Sequence, residues 1–201
     1  MEGSYISRPF LKAMIHALDS TDYTQMSEID AMVAELVAGR ERGGRLFLIG
    51  LGGSAANCSH AAADFRTLCD IEAYSFDNLA NLTALANDEP WYEVFVQWLE
   101  KSNLCRDDLL YVMSVGGGTQ EVSQGLVKAM NYARDGETHI IGVAGRDGGA
   151  LAILADACVI VPKPIDQSLI TPITESMQLI IAHLLVSHPM LKRQKTAWEG
   201  K

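Results

Sequence analysis

Two short apolar runs, each followed directly by a glycine-rich turn, constrain the fold of this 201-residue chain more than any other feature. Residues 46–49 lead into the turn at residues 50–54, and residues 109–113 lead into the turn at residues 114–119. A continuous apolar run that ends in glycines is typical of a strand buried in a parallel sheet. Weaker runs of the same type predict further strands at residues 72–75, 139–143 and 157–161.

The segments between these strands carry apolar residues at helical spacing. They predict helices near residues 54–68, 78–101, 119–134 and 148–155. Strands that alternate with helices imply right-handed crossovers and a parallel sheet covered on both faces. Two helical segments are predicted in residues 1–42 and a last helix in residues 172–187, ahead of a solvated basic tail at residues 189–201. We therefore expect one α/β domain of three αβα layers, residues 43–188, with an N-terminal helical extension.

Composition and charge exclude several classes of protein. The chain has 16 basic and 25 acidic residues and a net charge of −9, which argues against nucleic acid or an anionic membrane as its main partner. No apolar stretch reaches the ~18 residues that a membrane helix needs, and residues 1–20 show no secretion signal. The four cysteines form no C-x-x-C pair, so we expect reduced thiols in a cytoplasmic protein.

Both glycine-rich turns are candidate anion sites. In the first, Gly52, Gly53 and Ser54 precede a predicted helix, whose N-terminus offers free N–H groups. This turn matches neither the dinucleotide-binding motif nor the P-loop, and tight packing explains its glycines equally well. In the second, Ser114 and Thr119 bracket three glycines, and Thr119 is predicted to cap the next helix. Two such turns at the carboxyl ends of strands favour an anionic ligand.

Four side chains are candidates for chemistry. His60 and Asp64 are four residues apart and share a helix face, although a surface ion pair explains them as well. His183 lies in the apolar stripe of the last helix, where a histidine is usually part of the core. Glu175, at the start of that helix, is also explained by the helix dipole. Together they can hold zinc or a similar ion or transfer protons as acid and base, and their spacing does not decide between the two.

Taken in order along the chain, these motifs resemble the SIS (sugar isomerase) domain family. The resemblance rests on the two glycine-rich turns, the His60–Asp64 pair, Asn87-Asp88, residues 145–149 and His183. Within this family the pattern is similar to that of the phosphoheptose isomerases, which convert sedoheptulose 7-phosphate to D-glycero-D-manno-heptose 7-phosphate. The resemblance implies a phosphorylated sugar as substrate and a homotetramer with active sites at subunit contacts. No nicotinamide or flavin is expected, because the redox change is internal to the sugar.

The resemblance also implies roles for individual residues. Asp64 and His183 take the catalytic positions, and zinc-bearing members would place their ligands at His60, Asp64, Glu175 and His183. Substrate contacts fall on a larger set of positions: Gly52, Gly53, Ser54, Asp64, Asn87, Asp88, Ser114, Gly116, Gly117, Thr119 and Glu175. Because Glu175 and His183 would be separated by ~12 Å of rise in a regular helix, both reach one ion only if the first turn of that helix is frayed or bent.

The chain departs from the family pattern at several positions. Asp64 is one methylene shorter than the usual glutamate, and Glu175 replaces a glutamine, which strengthens metal binding but repels phosphate. Leu51 replaces an asparagine in the first turn. Val115 and Gly116 replace two hydroxyl residues of the phosphate loop, so backbone N–H groups must hold more of the phosphate.

Two functions of other classes compete with an isomerase. A non-catalytic SIS module that associates with the bacterial replication initiator resembles the chain at residues 54–57, but such modules lack the catalytic carboxylate that Asp64 supplies here. A sugar-phosphate sensor is the other alternative, although no DNA-binding extension is visible in the sequence. The presence of both Asp64 and His183 favours an enzyme.

Overall fold

The computed structural model describes residues 8–199 and places five parallel strands in one sheet. The strands are β1 (Leu46–Gly50), β2 (Ala73–Ser75), β3 (Leu109–Ser114), β4 (His139–Ala144) and β5 (Ala157–Ile160). Their order across the sheet is β2-β1-β3-β4-β5, and Leu46 of β1 pairs with Ala73 on one side and Leu109 on the other. The predicted α/β class and the five-stranded parallel sheet are confirmed.

Helices cover both faces of the sheet. Those of the described chain are α1 (Arg8–Thr24), α2 (Met26–Glu41), α3 (Gly53–Cys69), α4 (Leu79–Asp88), α5 (Val94–Lys101), α6 (Gln124–Asp135), α7 (Gly149–Leu154) and α8 (Ile170–Ser187). One apolar cluster joins α2, α3 and α8 to the face that carries Leu46 and Leu48. A second joins α5, α6 and α7 to the face that carries Phe47 and Ile49. Since alternate side chains of β1 enter two cores, the strand reads as a continuous apolar run, and the predicted three layers are confirmed.

The N-terminal helical segment protects the open edge of the sheet. Gln25 Oε1 accepts a hydrogen bond from the Ile160 backbone N–H (2.9 Å), and Glu28 Oε2 accepts one from the Cys158 N–H (3.2 Å). Both amides belong to edge strand β5 and would otherwise face outward. Covering them removes donors that could pair with another strand.

Two predicted helices differ from the structure. The helix predicted over residues 78–101 is interrupted at Pro90, because proline cannot donate to the helix ladder and favours an extended residue before it. The helix predicted from residue 119 begins at Gln124, so the prediction that Thr119 caps it is wrong. Thr119 Oγ1 instead accepts hydrogen bonds from the N–H groups of Glu121 (3.2 Å) and Val122 (2.9 Å), inside a longer loop.

Two expectations about the end of the chain also change. Residues Gln167–Ser187 have a mean hydropathy of 1.5 and are long and apolar enough to span a membrane, contrary to the prediction from sequence. Ile173 and Met177 of α8 are buried in the core, and this packing accounts for the apolar composition. The segment after Pro189 is not wholly solvated, since Leu191 is buried and its carbonyl accepts a hydrogen bond from Arg40 Nη1 (2.7 Å).

The strand order places a crevice between β1 and β3. From β1 the chain passes to β2 on one side, and β3 then pairs with β1 on the other. Ligands of doubly wound sheets bind in such a crevice, beyond the carboxyl ends of the strands. The turn after Gly50 and the loop after Ser114 leave the sheet at this point.

Candidate active site

A cavity of about 410 Å³ lies at the carboxyl end of the sheet, between the turn after β1 and the loops after β3 and β4. It is lined by Leu51, Ser54, Ser114, Val115, Gly116, Gly118, Thr119, Val122, Ser123, Arg146 and Asp147. Four of these residues are among the substrate-binding positions predicted from the sequence, namely Ser54, Ser114, Gly116 and Thr119.

Ser54 belongs to the wall of this cavity, and its hydroxyl is buried without a hydrogen-bond partner among the described residues. Ser54 is in the first turn of α3, after Gly52, whose φ of +61° favours glycine. Ser54 is only 1% exposed, and its Oγ has no partner among the described residues. Because a buried hydroxyl without a partner is unfavourable, a polar ligand atom in the cavity would satisfy it.

The loop after β3 is fixed in shape by its own hydrogen bonds. Ser114 Oγ accepts a hydrogen bond from the Gly117 N–H (3.0 Å). Gly117 has a φ of +70°, and a Cβ there would lie 1.8 Å from the carbonyl oxygen of Gly148, so a larger residue does not fit. The Ala150 N–H donates to the carbonyl of Gly118 (2.9 Å) and joins this loop to the start of α7. A wall of this kind needs little rearrangement to receive a ligand.

His60, Asp64 and His183 form a compact cluster on the surface of α3 and α8. His60 Nε2 lies 3.1 Å from His183 Nε2 and 3.2 Å from Asp64 Oδ2. His183 Nε2 lies 3.7 Å from the same Asp64 oxygen. The two imidazole side chains are about half exposed, so a ligand has access to all three groups.

The cluster forms because α3 and α8 lie side by side and run in the same direction. Near their N-termini, Asn57 Nδ2 donates to the backbone carbonyl of Glu175 (2.8 Å) and to Gln178 Oε1 (3.2 Å). Further along both helices, His60 meets His183. The sequence predicts that His60 and Asp64 share one face of a helix. His183 joins them because α8, which is distant in sequence, packs against α3.

The donor atoms of this cluster suit a zinc ion. One donor atom each from His60, Asp64 and His183 lies within 4.8 Å of the other two. Two imidazole nitrogens and a carboxylate oxygen are a donor set that zinc takes in catalytic sites, with a further position left for water or substrate. The same groups can also transfer protons between neighbouring substrate atoms.

Comparison with known proteins identifies the family. A sequence model described as the SIS domain matches residues 9–145, which is more than half of the chain. The chain belongs to the SIS domain family. The resemblance predicted from the sequence motifs is therefore confirmed.

Relatives of this SIS domain protein include curated phosphoheptose isomerases. That of Helicobacter pylori is 31% identical over 191 residues, which cover 92% of this chain and 94% of the relative. The phosphoheptose isomerase of a Roseiflexus species is 33% identical over 159 residues, which cover 76% of this chain and 78% of the relative. The structure of a phosphoheptose isomerase from Francisella tularensis superposes on this chain with a TM-score of 0.79 at 23% sequence identity. The superposition covers 92% of this chain and 97% of the Francisella chain, and it shows that the two share a fold.

Glu175 is not part of the group of donor atoms that His60, Asp64 and His183 form. Helix α8 already begins at Ile170, so Glu175 is inside a regular helix rather than in a frayed first turn. The role of Glu175 as a fourth ligand stays a prediction. A Cβ added to Gly53 would lie 2.4 Å from Glu175 Oε2, which places this carboxylate against the N-terminus of α3.

Several other predicted substrate-binding residues lie outside the cavity wall. Gly52 and Gly53 shape the turn ahead of Ser54, and Gly117 packs against Gly148 behind the wall. Asn87 and Asp88 are exposed at the end of α4, where Asn87 Nδ2 donates to Asp88 Oδ1 (2.9 Å). A contact of Asn87 and Asp88 with substrate stays a prediction.

Two loops contribute lining residues that the sequence motifs do not predict. Val122 and Ser123 were placed inside a helix that begins only after them. Arg146 and Asp147 belong to residues 145–149, which contribute to the family resemblance, but the sequence assigns them no contact with a ligand; they follow β4 and so leave the sheet beside the glycine loop. The position of Arg146 and Asp147 directly after a predicted strand indicates that they lie near the site, because the carboxyl ends of parallel strands meet at one edge of the sheet.

Proposed function

We propose that this SIS domain protein is a phosphosugar aldose–ketose isomerase that interconverts sedoheptulose 7-phosphate and D-glycero-D-manno-heptose 7-phosphate. One observation carries the proposal: helix α3 carries both Ser54, in the wall of the cavity, and the His60–Asp64 pair, which His183 of α8 joins. Ser54 and His60 are six residues apart on α3, which corresponds to ~9 Å of rise. An open-chain heptose phosphate has a similar reach, so its phosphate occupies the cavity while its reacting carbons lie at the cluster.

Asp64 and His183 are the proposed proton-transfer pair. Asp64 removes a proton from C1 of the ketose and returns it to C2, through an enediol. His183 moves the hydroxyl proton from O1 to O2, so that the C2 carbonyl becomes a hydroxyl and C1 becomes the aldehyde. The separation of 3.7 Å between His183 Nε2 and Asp64 Oδ2 allows both groups to reach adjacent carbon and oxygen atoms.

We further propose that His60, Asp64 and His183 hold a zinc ion. When bound there, zinc would supply positive charge that polarises the carbonyl oxygen. For Glu175, which the sequence predicts as a fourth ligand and as a substrate contact, we favour the substrate contact, because its carboxylate lies at Gly53, next to Ser54 of the cavity wall. There it would accept hydrogen bonds from sugar hydroxyls.

A homotetramer in the cytoplasm completes the proposal. Support for self-association comes from α1, on which Leu11, Ile15 and Leu18 are 58%, 65% and 40% exposed. Their spacing puts them on one helix face, and exposed apolar faces of this kind mark interfaces.

The proposal is tested by product formation with a panel of ketose and aldose phosphates. We expect turnover of sedoheptulose 7-phosphate, no turnover of unphosphorylated sedoheptulose, and a loss of at least about a hundredfold in Asp64→Asn and His183→Gln. If phosphosugars bind without turnover under all conditions, the protein is a binding module rather than an isomerase.

A further inference from the structure

We propose that Arg146 supplies the positive charge that holds the substrate phosphate; this inference rests on the proposed function and identifies a binding residue within it. Arg146 lines the cavity together with Ser54, and it is the only lysine or arginine among the described residues that do so. With a net charge of −9, the chain as a whole repels a phosphate dianion. A local cation in the cavity wall would offset this repulsion and add to the backbone N–H groups of the glycine loop.

The guanidinium group of Arg146 is available for a ligand. Among residues 8–199 it makes no ion pair or hydrogen bond, and it is exposed. The neighbouring carboxylate of Asp147 does not form an ion pair with Arg146. Its Oδ1 accepts a hydrogen bond from the Gly149 N–H (3.3 Å). The wall of one cavity therefore contains an unpaired arginine and a serine whose hydroxyl has no partner among the described residues.

The backbone around Arg146 is held against the glycine loop. Arg146 has a φ of +56°, in the left-handed region that is unfavourable for a residue with a side chain. The turn is kept by the Gly148 N–H, which donates to the carbonyl of Gly145 (2.9 Å), and by the Gly145 N–H, which donates to that of Val115 (3.1 Å). These bonds fix the origin of the Arg146 side chain at the cavity wall.

The stem of Arg146 passes beside Gly116. A Cβ added at Gly116 would have Arg146 Cδ, at 3.8 Å, as its neighbour. The loop lacks hydroxyl side chains at Val115 and Gly116, so the stem of Arg146 lies beside a stretch of the loop without side-chain donors. Its planar fork can donate two parallel hydrogen bonds to phosphate oxygens, which a backbone N–H cannot do.

Inorganic phosphate is the probe that tests this role, by calorimetric titration of the full chain at several salt concentrations. We expect Arg146→Gln to weaken phosphate binding about tenfold and to flatten its dependence on salt, and Arg146→Lys to keep the salt dependence with intermediate affinity. Both variants keep a side chain at the left-handed position, so thermal unfolding should be unchanged.

Arg106→Gln is the matched control, because Arg106 is exposed in the turn before β3, at the opposite end of the sheet. It removes the same charge and should leave phosphate binding unchanged. If Arg146→Gln binds phosphate as tightly as the unaltered chain, or if Arg106→Gln weakens binding equally, the role of Arg146 is overturned while the proposed isomerase stands. If the unaltered chain binds no phosphate, both the role of Arg146 and the phosphate cavity of the proposed function are overturned.

Discussion

The Ser54 hydroxyl is buried without a partner, so its removal should affect binding and folding differently. We expect Ser54→Ala to weaken phosphate binding about tenfold. The free energy of unfolding should stay the same or rise by about 1 kcal/mol, because an unsatisfied buried hydroxyl is replaced by an apolar group. Phosphate titration and denaturant unfolding of the same preparation measure the two effects.

Ser114→Ala provides the contrasting variant for this test. Ser114 Oγ accepts the Gly117 N–H at 3.0 Å, so its loss should lower the free energy of unfolding by about 1–2 kcal/mol. Equal destabilisation of the Ser54 and Ser114 variants would show that the Ser54 hydroxyl has a structural partner in solution.

The metal site also makes a prediction about single residues. We expect zinc in the purified protein and loss of zinc in the alanine variants of His60, Asp64 and His183, whose donor atoms lie within 4.8 Å of one another. Glu175→Ala should retain zinc, because its carboxylate lies at Gly53 instead. Elemental analysis of the four variants measures their zinc content. Loss of zinc in Glu175→Ala would contradict the three-ligand site.

Among the structural elements, the amino ends of β1 and β3 are joined by an ion pair. Arg45 Nη2 lies 2.7 Å from Asp108 Oδ2, and Asp108 is only 2% exposed. Burial alone would raise the pKa of Asp108, but hydrogen bonds from the Arg45 side chain and from the N–H groups of Arg45 and Cys105 outweigh it and hold this pKa below its ordinary value. We expect Asp108→Asn to lower the free energy of unfolding by about 2–3 kcal/mol.

The sign of the pH dependence follows from this lowered pKa. The ionised Asp108 stabilises the fold fully above its unfolded-state pKa, and this contribution is lost as the pH falls through the folded-state pKa. Denaturant unfolding between pH 7 and pH 3 should therefore show a steeper fall in stability for the unaltered chain than for Asp108→Asn. Parallel curves would contradict the assignment.

The sequence predicts elements better than it predicts the contacts between them. Strands β1 and β3 are evident because both of their faces are buried, which leaves a continuous apolar run. The start of α6 was misplaced because Thr119 is a good cap residue, and nothing local shows that the loop continues to Ser123. The cluster at His183 and the position of Glu175 depend on how α3 packs against α8, which periodicity alone does not specify.

For the whole molecule, the apolar face of α1 predicts self-association. Ile15 is 65% exposed between Leu11 and Leu18, so a charge there should disrupt an interface. We expect the unaltered chain to sediment as a tetramer and Ile15→Glu as a smaller species. Ile153→Glu is the control, since Ile153 is 83% exposed on α7. A monomeric unaltered chain at micromolar concentration would contradict the prediction.

Exchange of carbon-bound hydrogen with solvent tests the proposed isomerisation most directly. The protein is incubated with sedoheptulose 7-phosphate in deuterium oxide, and deuterium at C2 of the aldose product is followed by NMR. Because Asp64 returns a proton to C2 after exchange with solvent, we expect deuterium at C2 with the unaltered chain and none with Asp64→Asn. Binding of the sugar phosphate without any exchange, or product formed without deuterium at C2, would contradict proton transfer through an enediol at this site.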